Sequence, residues 1–387
     1  MKREFSFPST RVAVALAFVA NGLVIGAWAP QIPALADRLE LSESRLGLLI
    51  LVFGLGALAA MPWCGGLIAR YGSRRPLVAF AALMPLSLPA VVLAPDFTVA
   101  AFAMFGFGAL IGGMDVAMNA NAVAVERHLD RAIMSSSHGF WSLGGFAGAA
   151  AGGFVLQASG ALAQSFLAGL IAGFLSLGVA RYALRDAPPP AEAVQRARWP
   201  LKPLPYLLGL AALLGMIPEG AVLDWAALYL QREHAAGLAQ ASLAFALFSA
   251  AMALMRFSGD AIRDRFGAVA TLRASCLVAG VGLVGAGLSP SPELAIAFFA
   301  LVGLGLANIV PIAFSAAGNQ TGLAPGVGMS VATTMGYSGI LVAPSAIGFI
   351  GEYTGFAPIF VVLALLILLL AIFAPVVSIA DRQKPAP

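Results

Sequence analysis

Gly65-Gly66-Leu67-Ile68-Ala69-Arg70-Tyr71-Gly72-Ser73-Arg74-Arg75 is answered later in the chain by Asp260-Ala261-Ile262-Arg263-Asp264-Arg265-Phe266-Gly267, with Gly72 and Gly267 standing 195 positions apart. Each stretch is a short basic turn between two long apolar runs. Two more pairs keep almost the same spacing: Gly106-Phe107-Gly108 with Gly303-Leu304-Gly305 at 197, and Asn21-Gly22 with Glu219-Gly220 at 198. Three separate features whose offsets agree within three residues mark an internal duplication.

Working outward from these turns, each copy holds six apolar runs. A helix needs roughly 20 apolar residues to cross about 30 Å of hydrocarbon. Runs of that length fall at about 12–35, 46–69, 76–95, 98–122, 135–159, 162–183, 204–230, 241–262, 269–289, 293–317, 327–350 and 355–378. The stretch 184–203, with three consecutive prolines and four basic residues, reads as a linker. The expected fold is therefore an all-α polytopic membrane protein, with twelve transmembrane helices in two six-helix pseudo-repeat bundles. Residues 1–183 and 204–387 form the bundles and 184–203 a cytoplasmic linker. Duplicated six-span halves are a transporter architecture, with the binding site expected between the halves near the bilayer midplane.

Composition agrees. Of 387 residues, 60% are hydrophobic and 10% charged, and the mean hydropathy is +0.92, which leaves no polar coat for a water-soluble protein. Placing the amino terminus in the cytoplasm puts 18 of the 22 Lys and Arg on the inner side, leaving only Arg38, Arg45 and Arg232 outside and Arg256 within a span. That is the positive-inside signature, with both termini cytoplasmic and a bacterial inner membrane as the expected location. The net charge of +4 reflects this topology and the anionic inner leaflet; nucleic-acid binding would need a basic face on a soluble domain. Lys2, Arg3 and the Ala34-Leu35-Ala36 tract imitate a secretory leader, but the apolar run is too long for one. Cys64 and Cys276 lie inside apolar runs without metal-ligand spacing.

At this point the chain resembles the major facilitator superfamily over essentially its whole length. The superfamily's Gly-x-Leu-x-Asp-Arg-x-Gly-x-Arg loop matches Gly65 to Arg74, except that Ala69 stands where the family has Asp; the second copy keeps it as Asp264. Gly144, Gly148, Gly152 and Gly153 of span 5 are similar to the superfamily's antiporter motif, with Ala149 replacing its proline. The tracts around Asp115 and Glu219 are distantly similar to the fucose-permease-type sugar–proton symporters. The resemblance implies that spans 1, 4, 7 and 10 line a central cavity. It also implies that loop charges hold one end of that cavity shut, with Arg70, Arg74, Arg256, Asp260, Asp264 and Arg265 as gating candidates.

Ionisable groups inside the bilayer are the strongest functional pointers, at about 2.5–3.5 kcal/mol each at the centre of a span. Asp115, Glu219 and Asp224 lie well inside spans and are the candidates for proton coupling. The alternative for each is a structural pairing with Arg256 or a backbone group. Asp115 and Asn119 share a helix face, as do Asn21 and Trp28. Pro218 should kink span 7 beside Glu219 and free the Leu214 carbonyl. Asp224 lies about 140° round the helix from Glu219, so one cavity serves both only if that kink rotates the outer half. Asn308 shares a stripe of span 10 with Pro311 and Ser315. His138 reads as a gate, a proton relay or a plain helix-start histidine. Arg256 and Asp260, four apart on span 8, read as an ion-paired clasp. Candidate substrate-binding residues are Asn21, Trp28, Asn119, His138, Trp141, Trp225, Asn308 and Tyr337. The 43 glycines, many four apart, permit close helix contact.

Competing functions carry weaker signals. Gly336-Tyr337-Ser338-Gly339 has the form of an intramembrane serine protease motif, but geometry defines a catalytic pair, and the duplication already accounts for the tract through Gly139-Phe140. A primary pump would need a phosphate-binding loop, and a channel a continuous polar lining or filter. No cofactor motif is present and no enzyme is expected. The reading is a secondary active transporter working as a monomer by alternating access. Proton-coupled symport of a polar, sugar-like solute is the first choice. Proton-driven efflux of hydrophobic compounds and a non-transporting sensor remain open.

Overall fold

The computed structural model of the chain describes residues 8–130, 133–188, 201–320 and 327–380. Everything regular among them is helical. Ten helices are long and apolar enough to cross a membrane alone, and an eleventh span is Ala357–Ile372 with Ala374–Ala380, bent by 58°. The twelfth comes from Met134–Tyr182, one continuous run that Gly160 breaks at a φ of 84°. These are twelve transmembrane helices in two six-helix pseudo-repeat bundles, as the duplication predicts.

In order, span 1 is Ser9–Trp28 continued by Gln31–Arg38, span 2 Glu43–Tyr71 and span 3 Arg74–Val92. Span 4 is Phe97–Leu129, and spans 5 and 6 are the two parts of Met134–Tyr182. Spans 7 to 9 are Leu204–His234, Leu238–Phe266 and Ala268–Gly287. Span 10 is Pro292–Leu306 with Ile309–Gly318, span 11 Val327–Thr354, and span 12 the bent pair. We call the end with the Gly72 and Gly267 turns inner and the opposite end outer.

The ends follow local chemistry. Ser42, Asp96 and Ser291 each accept a hydrogen bond from an amide three residues on, which satisfies a donor left over at a helix start. Gly72 and Gly267 have φ of 77° and 81°, a backbone state costly for any residue with a Cβ, so the duplicated turn needs glycine in both copies. Two prolines act differently. Span 10, expected to be continuous, breaks at Ala307–Asn308, because Pro311 offers no N–H to the Ala307 carbonyl. Span 7 runs as one helix through Pro218.

Apolar side chains face outward as well as inward. Phe102 and Phe174 are each 76% exposed and Leu170 71%, so the medium around the bundle must be apolar. Within the first half, spans 1 and 5 pack almost backbone to backbone. A Cβ on Gly22 would strike the Trp141 carbonyl, and one on Gly26 would strike Gly145. The halves meet along two seams, spans 5 and 8 and spans 2 and 11.

Both seams are latched at the outer end. Arg232 pairs with Asp37 at 3.5 Å, the Ser44 amide donates to Glu352 at 2.9 Å, and the Ala239 amide donates to Gln157 at 3.1 Å. The other described hydrogen bonds between the halves lie at mid-depth. Across the 5–8 seam, beside those bonds, Phe140 lies edge-on to Phe257, centroids 5.5 Å apart.

Candidate functional site

At mid-depth the apolar helices give way to two sets of polar side chains, each crossing between the halves once. On span 4, Asn119 donates to the Asp115 carbonyl at 2.8 Å and to its Oδ1 at 3.2 Å. On span 11 of the other half, the Tyr337 hydroxyl donates to Asp115 Oδ2 at 3.3 Å. On span 7, Glu219 Oε1 accepts from Arg256 Nη2 of span 8 at 3.2 Å. Arg256 Nη1 returns to the first half, donating to Ser142 Oγ of span 5 at 2.7 Å. One turn below Ser142, His138 lies edge-on to Phe18, centroids 5.3 Å apart.

Two properties set these contacts apart from a sealed structural cluster. They are partly open: the Tyr337 residue is 36% exposed, and the Glu219 and Arg256 side chains are 23% and 11% exposed. They are also incompletely bonded: Arg256 Nε is buried with no partner among the described residues, although orphaned donors at depth are costly. A carboxylate held by a single guanidinium nitrogen and a carboxylate held by a phenol and an amide are contacts that can be exchanged. No group of three or more metal-ligating side chains occurs among the described residues.

Comparison with known proteins fits this architecture. The Major Facilitator Superfamily profile matches the chain twice, over residues 14–218 and 208–387. The chain belongs to the major facilitator superfamily. An MFS-type transporter of Yersinia pestis is 36% identical over 375 residues, spanning 96% of both chains. The transporter y4wD of Sinorhizobium fredii is 33% identical, covering 94% of this chain and 97% of its own. Among solved structures, a variant of the nucleoside transporter NupG superposes with a TM-score of 0.72 at 12% identity, covering 95% of this chain and 99% of that one. That similarity speaks to fold alone. The chain is thus a multi-pass membrane protein and a secondary transporter with a small-molecule substrate, and not an enzyme.

Within this superfamily member, the expected site residues separate into groups. Asp115, Asn119 and Tyr337 form one mid-depth set and Glu219 belongs to the other, with His138 one turn from Ser142. Asn21 is 1% exposed and structural: its Oδ1 accepts from Trp141 Nε1 at 2.8 Å and its Nδ2 donates to the Ile111 carbonyl at 3.4 Å. Trp28, 2% exposed, packs edge-on to Phe107. Trp225 is fully buried and stacked on Phe356, its Nε1 without a described partner. Asn308, at the break in span 10, packs its side chain against Gly259 of span 8. All four side chains are buried between helices.

Asp224 is also separate. It is buried, has no hydrogen-bond or ion-pair partner among the described residues, and nothing described joins it to either mid-depth set. The helix runs unbroken through Pro218, and an ideal helix sets Asp224 about 140° round from Glu219. The expected Arg256–Asp260 clasp cannot be placed, since the Asp260 side chain lies outside the described residues. The Arg256 guanidinium serves Glu219 and Ser142, which moves it from the gating set into the site.

Arg70, Asp264 and Arg265 are exposed at the inner end, Arg70 and Arg265 lying over Tyr71 and Phe266 respectively. Arg74 bonds within its own half, to the Ala180 and Ala183 carbonyls of span 6.

Sequence reasoning missed Ser142, which is one serine among many with no marking context. It also missed the amide pair Gln31 and Gln164, joined at 2.5 Å and both buried. A search for polar amides in apolar runs, and not only for ionisable groups, finds that pair.

Proposed function

We propose that the chain is a proton-coupled symporter of a polar, sugar-like solute. The observation that carries this reading is two mid-depth sets of contacts, Asp115 with Tyr337 and Glu219 with Arg256 and Ser142, which tie the halves together through exchangeable bonds. Alternating access requires the halves to part and rejoin around a fixed site. A carboxylate that releases Arg256 on taking up a proton, and recaptures it on losing one, couples that motion to a proton gradient. Hydroxyl, amide and phenol groups beside the acids suit a hydroxylated solute. The latched outer end and the partly exposed Tyr337, Glu219 and Arg256 suit a state in which solute leaves toward the inner side.

In this reading residues 1–183 and 204–387 are the moving halves, 184–203 is the tether, both termini are cytoplasmic, and a single chain suffices. A 100 mV potential contributes about 2.3 kcal/mol per charge moved, enough for roughly fifty-fold accumulation of a neutral solute carried with one proton. The test is uptake into vesicles bearing an imposed pH gradient, across a panel of sugars first chosen by thermal stabilisation of the purified protein. Gradient-dependent accumulation of a stabilising solute is the expected result. Binding of those solutes without any flux would favour a sensor and overturn the transport reading.

A further inference from the structure

We infer that Arg74 and Asp186 form a reciprocal helix-end cap: each charged group closes the other's helix, and together they fix the Gly72 turn and the start of the inter-half segment onto the first half. This goes beyond the solute reading and stands independently of it.

The two side chains make no ion pair; the pairs among the described residues are Arg232–Asp37 and Arg256–Glu219. Asp186 instead takes the opening amides of span 3. Its Oδ1 and Oδ2 accept from Ser73 N at 3.0 and 2.9 Å, and Oδ1 accepts from Arg74 N at 3.3 Å. Ser73 precedes that helix without capping it by its own side chain, because its hydroxyl accepts from Asn121 Nδ2 at 2.8 Å. Arg74 in turn reaches the closing carbonyls of span 6, Nη2 to Ala180 at 2.8 Å and Nε to Ala183 at 3.2 Å. Asn121 adds a bond to the Leu184 carbonyl at 3.1 Å.

An anion thus sits at a helix start and a cation at a helix end, each where the backbone's leftover groups and the helix dipole favour it. The turn has no acid of its own to do this, since Ala69 stands where the second copy has Asp264. Gly72 is packed on the Asp186 carbonyl, where a Cβ would stand 2.5 Å away.

The second half repeats part of the plan. Arg263 donates to the Ala380 carbonyl and Asn319 to the Ile379 carbonyl, at the end of span 12. Asn121 and Asn319 stand 198 positions apart, and Leu184 and Ile379 stand 195 apart. In sequence, Asp381 stands 195 positions after Asp186 and lies outside the described residues. Arg74 therefore acts inside one half as a positioning residue, not across the gate between halves.

The test is hydrogen–deuterium exchange on the full chain in lipid nanodiscs, read at residues 73–77 and, as an internal control, at 263–269. Asp186→Ala is expected to speed exchange at Ser73 and Arg74 about fivefold, the scale of a lost cap, with the control unchanged. Asp186→Asn, which keeps the shape and one acceptor, gives a smaller rise if the alanine variant does not fold. The deciding variant is the charge swap Arg74→Asp with Asp186→Arg. A simple ion pair would be restored by it; a reciprocal cap is not, because aspartate would then face carbonyls and arginine would face amides. Exchange at least as fast as in the single variants supports the inference. A return to the parent rate, or an unchanged rate in both Asp186→Ala and Asp186→Asn, overturns it.

Discussion

Removing the Arg256 guanidinium leaves the Glu219 carboxylate and the Ser142 hydroxyl without their shared donor. Breaking a fully buried pair costs about 3–5 kcal/mol. With the two side chains 11% and 23% exposed, water recovers part of that, and about 2 kcal/mol is the expected loss for Arg256→Ala. Adding Glu219→Gln should restore part of it, because the uncompensated charge is then gone. Thermal melting of the two single variants and the double variant in detergent measures this, and strictly additive losses would contradict the pairing.

At this scale the acids were legible in the sequence, and so was Arg256 as a partner for one of them; which acid it meets was not. A carboxyl group in an apolar run announces itself through its cost. That Arg256 meets Glu219, 37 residues away, depends on which helices touch, which no local spacing encodes.

Glycine spacing becomes a prediction when helices are compared. Gly26 has the Gly145 backbone against it, whereas Gly65 has nothing within 4 Å. Gly26→Val should therefore force spans 1 and 5 apart, costing about 3 kcal/mol or more. Gly65→Ala should be neutral or stabilise by up to about 1 kcal/mol through helix propensity. Melting temperatures and monodispersity on gel filtration report both, and a well-folded Gly26→Val variant would refute the close contact.

Span number and order were readable because each run matches the hydrocarbon thickness. Span ends were less so: span 4 was expected to stop at 122 but runs to Leu129, since Val125, Glu126 and Arg127 continue a helix into water as readily as apolar residues do in lipid. Whether a proline breaks a helix was also unreadable, as Pro218 and Pro311 show by behaving oppositely.

Across the whole molecule, the described polar bonds between halves lie at mid-depth and at the outer end, where Asp37–Arg232, Ser44–Glu352 and Gln157–Ala239 form the latch. The duplication made the two halves visible in the sequence, but not which end is closed, because the latch residues are ordinary polar side chains at span ends. If this latch must open in each cycle, a short cleavable cross-link between Asp37→Cys and Arg232→Cys should cut uptake by roughly tenfold or more, as expected when closure gates turnover. Cleaving the linker should restore it. Undiminished uptake with the cross-link complete would show that the outer end need not part.

The most direct measurement compares solute accumulation driven by a pH gradient with gradient-free exchange, in proteoliposomes carrying the parent chain or Glu219→Gln. The account predicts that the variant exchanges solute across the membrane but no longer accumulates it against a gradient. Accumulation by Glu219→Gln equal to that of the parent would remove the carboxylate from coupling and contradict the account.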